Sequence, residues 1–246
     1  MKFGLIGYPL THSFSKEYFE TKFQSLGLQG FTYDNFPLAA IEEVTPLLEQ
    51  DYLGFNVTIP YKEQILQFLN ESDPAAASIG AANTLVKTGD HSWKGYNTDA
   101  TGFQESLLGW FGSEKFPSAA LVLGTGGASK AVVYVLNQLG IEVSLVSRHF
   151  KGKYAYSELN RQVIEDHLLI INTTPVGQFP HIDQCPEIPF AALTQEHWLF
   201  DLIYNPGNSL FLTRGEQAGA RIKNGLEMLR LQADHAWAIW KSYGKF

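Results

Sequence analysis

The stretch Ala119 to Ser129, AALVLGTGGAS, reads as a strand that runs directly into a glycine loop and then a helix. Glycines at 124, 126 and 127 permit a tight turn and let backbone N–H groups approach a pyrophosphate at the helix N-terminus. An ordinary strand-to-helix turn also uses glycine. What favours a dinucleotide site is the pair of flanks, the apolar strand before the loop and the helical pattern Ala128 to Leu139 after it. Ser129 stands where the usual fingerprint has its third glycine. Apolar runs at Val143 to Ser147, Leu168 to Asn172 and Trp198 to Ile203 continue the alternation, as expected of a doubly wound, Rossmann-like sheet.

The end of the next strand separates the two nicotinamide cofactors. NAD sites usually carry Asp or Glu there for the ribose hydroxyls, whereas NADP sites place cations around the added phosphate. Residues 147–153 read Ser-Arg-His-Phe-Lys-Gly-Lys, with no carboxylate and with Arg148, Lys151 and Lys153. Arg148 is suited to charge-assisted bonds with phosphate. A solvated basic loop is the alternative.

Working toward the N-terminus, Phe3 to Ile6, Phe31 to Phe36 and Leu53 to Val57 read as strands, with helical patterns at Lys16 to Leu26 and Ile41 to Leu48 between them. This is a second α/β domain. A helix predicted from Asp99 to Trp110 marks the boundary, and the aromatic-rich helical pattern Leu226 to Trp240 is expected to return to the first domain. The expected division is 1–100 with 226–246, and 101–225. There is no internal repeat.

Gly54 to Leu66, GFNVTIPYKEQIL, predicts a strand end followed by a helix beginning at Pro60. Lys62 then falls in a first turn, where the helix dipole favours acids over cations, so a merely structural role does not account for it. Ser13 and Ser15 follow the first strand and either cap the next helix or turn two hydroxyls toward a ligand carboxylate. Asn83-Thr84 and Asn97-Thr98-Asp99 are small polar groups at strand ends or helix starts, where caps and Asx turns are the simpler reading. Asp99 suits an N-cap, and with Lys62 it also forms a candidate proton-transfer pair.

Composition narrows the classes. With 45 % hydrophobic residues the chain can bury substantial cores, and a net charge of −7 without a basic run argues against a broad nucleic-acid or anionic-membrane surface. No apolar run approaches membrane-spanning length, and the N-terminus lacks a secretory pattern. A single cysteine, Cys185, is compatible with a reducing cytoplasm. The histidines are scattered, so no metal site is expected.

Taken in order, these residues are similar to the shikimate dehydrogenase family over nearly the whole chain. The resemblance rests on Gly7-x-Pro9-x-x-His12-Ser13-x-Ser15, Asn56-Val57-Thr58-Ile59-Pro60-Tyr61-Lys62, Ala82-Asn83-Thr84 and Asn97-Thr98-Asp99. It continues with Gly124-x-Gly126-Gly127-Ala128-Ser129, Asn172-Thr173-Thr174, Asp201-Leu202-Ile203-Tyr204-Asn205-Pro206, and Gly225-Leu226-Glu227-Met228-Leu229 with Gln232. It implies NADP-dependent interconversion of 3-dehydroshikimate and shikimate in aromatic amino-acid biosynthesis, with the active site in the cleft between a substrate domain and an NADP domain.

By motif match, Ser13 and Ser15 would bind the substrate carboxylate with Tyr204 nearby, and Thr58, Asn83, Asp99 and Gln232 would hold ring hydroxyls. Lys62 would be the acid/base group with Asp99 its partner. The cofactor would lie along Gly124, Gly126, Gly127 and Ala128, with Arg148 on its phosphate and Asn172, Thr173, Thr174, Leu202 and Gly225 lining the rest. Two departures stand out. Lys16-Glu17 and Phe19-Glu20 replace the family's usual Pro and His-Asn after the second serine, and a common second basic residue falls at Gly152. The rival readings are a quinate/shikimate dehydrogenase using NAD or NADP, and a non-catalytic shikimate- or cofactor-binding regulator. A monomer or homodimer is expected, with small-molecule partners only.

Overall fold

The apolar runs at Phe3 to Ile6, Ala119 to Leu123 and Leu169 to Ile171 fall within strands, and the strands assemble into two separate sheets. The computed structural model describes residues 1–10, 14–148 and 152–244. The chain divides into two compact units, Met1–Thr101 with Gln232–Phe246, and Gly102–Leu231.

The first part of the chain runs β1 (Lys2–Gly7), α1 (Phe14–Ser25), β2 (Thr32–Pro37), a 3₁₀ turn (Ile41–Glu43) leading into α2 (Val44–Leu48), and β3 (Gly54–Val57). A 3₁₀ helix (Gln64–Phe68), β4 (Glu71–Ser72), α3 (Pro74–Ile79), β5 (Thr84–Gly89), β6 (Ser92–Tyr96) and α4 (Thr98–Phe111) follow. The second part runs β7 (Ala119–Leu123), α5 (Gly127–Gln138), β8 (Glu142–Ser147), β9 (Tyr154–Ala155), α6 (Arg161–Glu165) and β10 (Leu169–Asn172). It ends with β11 (Trp198–Asp201), α7 (Leu210–Gln217), β12 (Arg221–Lys223) and α8 (Leu226–Tyr243).

In the first unit the strand order is β2-β1-β3-β5-β6-β4. The strands β2, β1 and β3 are parallel, and β5 runs antiparallel to β3 and β6. Alternation along each strand sorts side chains to two faces. Ile6, Phe55, Val57 and Leu85 pack with Val44 and Leu47 of α2 on one face. Phe3, Leu5 and Val86 pack on the other with Phe19 and Phe23 of α1 and Trp237 and Trp240 of α8. Trp240 reaches across the sheet to donate its indole N–H to the Leu85 carbonyl at 2.8 Å. Gly54 makes that approach possible, because a Cβ there would lie 2.2 Å from Trp240 Nε1.

In the second unit every strand pair is parallel, in the order β12-β11-β10-β7-β8-β9. This is the doubly wound order, and its topological switch lies between β7 and β10, where such sheets bind ligands at the strand C-termini. The central strands β7, β10 and β11 are near-continuous buried runs, as required when helices cover both faces. Leu121, Leu123, Ile170 and Leu199 contact Ile164 of α6 and Phe211 and Leu212 of α7 in one core cluster.

Two local expectations are corrected. No helix begins at Pro60: the Tyr61 N–H closes a turn onto the Thr58 carbonyl at 3.0 Å, and the short 3₁₀ helix starts only at Gln64. The Lys62 carbonyl is taken by the Ala82 N–H at 2.8 Å, and the Tyr61 hydroxyl is drawn to the Leu38 carbonyl at 2.6 Å. These tertiary bonds outweigh a local helix, so Lys62 does not oppose a helix dipole. Nor is Asp99 the cap of α4. That helix starts at Thr98, and Asn97 Oδ1 accepts the Ala100 N–H at 3.2 Å, so Asn97 holds the capping position.

Candidate active site

Freed from capping, the Asp99 side chain meets Lys62. Lys62 Nζ lies 2.6 Å from Asp99 Oδ2, with the two side chains 16 % and 11 % exposed. Two charges held this far from water interact strongly, and each depends on the other to offset its desolvation. Lys62 is fixed from behind by the Ala82 bond to its carbonyl, and Asp99 by the first turn of α4. The arrangement presents an ammonium group that can exchange a proton and a carboxylate that holds it in place.

A buried polar cluster forms in the same unit. Asn83 Oδ1 accepts the Thr98 N–H at 2.7 Å and lies 3.1 Å from the Thr98 hydroxyl, while Asn83 Nδ2 faces Gln232 Oε1 at 3.5 Å. Asn56 Nδ2 donates to the Asn83 carbonyl at 3.3 Å and to Thr84 Oγ1 at 3.2 Å. The Tyr33 hydroxyl donates to Asn56 Oδ1 at 2.8 Å and is itself hydrogen-bonded by the Ser15 side chain. Burial pushes the Tyr33 phenol well above its ordinary range, only partly offset by Ser15, so it stays a neutral donor. Sequence reasoning named none of Tyr33, Asn56, Thr84 and Thr98 as a site residue. The available signal was Asn56, an amide inside the apolar run of β3.

The remaining predicted substrate residues fall as follows. Ser15 lies inside α1, one residue past its first, so it is not the cap. Ser13 lies outside the described residues. Thr58 follows β3, half-buried, with its N–H on the Ile6 carbonyl at 2.8 Å. Gly7 makes room for it, since a Cβ there would meet Thr58 Cγ2 at 2.4 Å. Tyr204 belongs to the second unit, half-buried just after β11, where burial raises its phenol pKa.

In the second unit, Gly124 has φ +108°, and a Cβ there would stand 2.8 Å from Thr173 Oγ1 and 2.9 Å from Thr174 Cγ2. Only glycine suits that backbone and that gap. Gly126 opens onto free space, with nothing within 4 Å of its Cβ position, and α5 begins at Gly127. The N–H groups of the first turn, Gly127 and Ala128 included, have no partner within the helix and suit an anion. Ser129 replaces the third glycine without filling the loop, because its hydroxyl turns back to the Gly126 carbonyl at 2.6 Å. Asn172 ends β10 on the other side of the switch, Thr173 and Thr174 follow it, and Thr173 Oγ1 donates to the Leu123 carbonyl at 2.6 Å. Leu202 and Gly225 are brought together, since a Cβ at 225 would lie 2.1 Å from the Leu202 carbonyl oxygen.

Arg148 is exposed at the end of β8, close enough for its charge to act on Tyr156. Lys151 lies outside the described residues. Lys153 is turned to Glu142 at 3.5 Å. At Gly152, where the family commonly has a second basic residue, a Cβ would meet the Leu145 carbonyl oxygen at 2.4 Å, so this backbone has no room for one. The open glycine loop, the helix N-terminus and the exposed arginine fit a phosphorylated dinucleotide.

Known proteins resemble this chain over nearly its whole length. The model of the shikimate dehydrogenase substrate binding domain matches residues 5–85. A shikimate dehydrogenase (NADP(+)) of Halothermothrix orenii is 37 % identical over 262 residues, covering 96 % of this chain and 89 % of that protein. Shikimate 5-dehydrogenase of Thermus thermophilus, solved with NADP(H) and shikimate, superposes with a TM-score of 0.85 at 30 % identity, covering 98 % of this chain and 94 % of that one. The Listeria monocytogenes shikimate 5-dehydrogenase, solved with shikimate and NAD, gives 0.83 at 26 % identity, covering 98 % and 91 %. The chain belongs to the shikimate dehydrogenase family.

Proposed function

We propose that this protein is an NADP-dependent shikimate dehydrogenase, reducing 3-dehydroshikimate reversibly to shikimate in aromatic amino-acid biosynthesis. The observation that carries the reading is the Lys62–Asp99 pair at 2.6 Å, in the same unit as a buried cluster of amides and hydroxyls suited to a polyol. The family relatives act as the name shikimate dehydrogenase (NADP(+)) states.

In this reading Ser13 and Ser15, with Tyr204, hold the substrate carboxylate, and Thr58, Asn83, Asp99 and Gln232 hold its ring hydroxyls. Gly124, Gly126, Gly127, Ala128, Asn172 to Thr174, Leu202 and Gly225 hold the dinucleotide, and Arg148 its extra phosphate. Bound there, the reduced nicotinamide supplies a hydride. The Lys62 ammonium group donates a proton to the oxygen of the ketone as it becomes an alkoxide, and its charge stabilises that oxygen during the step. In the oxidising direction neutral Lys62 takes the proton from the substrate hydroxyl. Asp99 keeps Nζ in position throughout, so the proton moves along a fixed line.

Arg148 favours NADP over NAD. The lack of space at Gly152 means that this preference rests on fewer cations than the family pattern provides. A cytoplasmic location, and a monomeric or homodimeric state, belong to the same reading. The test is purified protein assayed with shikimate and quinate against NADP⁺ and NAD⁺. Shikimate with NADP⁺ is expected to give the highest kcat/KM. A preference for quinate with NAD⁺ would replace this assignment with the quinate/shikimate reading, and binding without turnover would replace it with a regulator.

A further inference from the structure

We propose that Asp201 is the positioning residue of the cofactor cradle: its carboxylate fixes the orientation of the Asn172 amide, and through it the Thr173-Thr174 turn that packs on Gly124. The inference rests on the reading of the second unit as an NADP site.

Asp201 and Asn172 end adjacent parallel strands and face each other in register. Asp201 is fully buried. Its Oδ1 accepts the Asn172 amide and the Ile203 N–H, both at 3.0 Å, and its Oδ2 accepts the Ser209 hydroxyl. An ionised carboxylate only accepts, so Asn172 must turn its NH₂ toward it. Asn172 Oδ1 is thereby aimed at Thr174, where it accepts the N–H at 3.0 Å and the hydroxyl at 2.6 Å. The reversed amide would set a carbonyl against the carboxylate and an NH₂ against the Thr174 N–H. Asp201 excludes that state.

The turn held this way is the one a side chain at Gly124 would strike, with contacts to Thr173 and Thr174 of 2.8 and 2.9 Å. Its placement therefore sets the space available at the glycine loop. The second arm of the carboxylate network, through the Ile203 N–H, fixes the segment after β11 that contains Leu202, whose carbonyl abuts Gly225. One buried side chain thus organises both strand ends assigned to the cofactor.

The experiment is an equilibrium titration of the full chain with NADP⁺, read by protein fluorescence, alongside thermal melts and KM values. Asp201→Asn keeps an acceptor for Asn172 and Ile203 and offers its NH₂ to Ser209, so its NADP⁺ affinity should stay within about threefold of wild type. Asp201→Ala releases the Asn172 amide and should weaken NADP⁺ by about tenfold or more, with the shikimate KM changing less than about threefold. Ser209→Ala removes the contact on the opposite oxygen and the cap of α7, so it should lower the melting temperature with less than about a twofold change in NADP⁺ affinity. If Asp201→Ala does not fold, Thr174→Val, which removes one of the two bonds to Asn172 Oδ1, should weaken NADP⁺ by about threefold. Wild-type affinity in Asp201→Ala, or in Thr174→Val where it is the variant used, would overturn the proposal. So would an Asp201→Asn variant as damaged as the alanine one, because charge rather than orientation would then be at work. A wild-type chain that turns over shikimate but binds no NADP⁺ at this loop would overturn the cofactor reading itself.

Discussion

Replacing Asp201 with asparagine should stabilise the protein relative to wild type increasingly as the pH rises from 4 to 7. Burial pushes the Asp201 carboxyl up from its ordinary 3.8 to about 6, against the opposing pull of hydrogen bonds from Ser209, Ile203 and Asn172. Between those two values the native protein still binds a proton that the unfolded chain has released. Stability from this group is therefore highest below the unfolded value, falls as pH rises through the window, and is constant above about 6. A shift of about two units corresponds to roughly 3 kcal/mol of stability lost across the window. Asparagine does not titrate, so the difference between variant and wild type isolates this one group from every other ionisation. The assay is urea denaturation of both proteins side by side from pH 4 to pH 7.5. A difference that grows by roughly 2–3 kcal/mol supports the reasoning. A flat difference would show that the carboxyl is not raised, and a falling one would show that its charge is stabilised in the native state.

Arg148→Ala should weaken NADP⁺ by about tenfold or more and leave NAD⁺ nearly unchanged, since it removes a charge-assisted partner for a phosphate that NAD⁺ lacks; comparative binding titrations check this. Ser15→Ala should raise the shikimate KM severalfold with NADP⁺ affinity unaltered, because the serine lies in the first unit and touches Tyr33; steady-state kinetics with each substrate varied separates the two effects. Gly54→Ala sets a methyl 2.2 Å from Trp240 Nε1, so it should break the indole bond to Leu85 and cost about 1–3 kcal/mol, read from thermal melts.

The parts of the fold that sequence made legible are those with local causes. The run Ala119 to Leu123 coincides with β7, because an unbroken apolar run ended by glycine leaves few alternatives. The hairpin of β5 and β6 escaped notice. Its strands, TLVKTG and SWKGY, mix lysine and glycine among their apolar residues, and the turn between them holds His91 at φ 61° instead of a typical turn glycine. Lys62 was singled out on a helix-dipole argument that the structure removes; what makes it unusual is a carboxylate 37 positions away in sequence. Which of Asn97 and Asp99 caps α4 could not be read from residue type, since both are good caps. The Asn172–Asp201 contact was likewise invisible, because it depends on the register of two strands whose ends are 29 residues apart.

The central claim is that Lys62 moves the proton that accompanies hydride transfer. Lys62→Gln tests it most directly, because glutamine can still donate a hydrogen bond to Asp99 but cannot exchange a proton at neutral pH, and alanine would leave the Asp99 carboxylate without its partner. The measurement is single-turnover oxidation of shikimate, followed by NADPH absorbance, with melting temperature and NADP⁺ affinity recorded on the same preparation. The account expects a folded, NADP⁺-binding protein whose hydride-transfer rate falls by about 10²–10⁴-fold. A folded Lys62→Gln protein with a near-normal rate would contradict it.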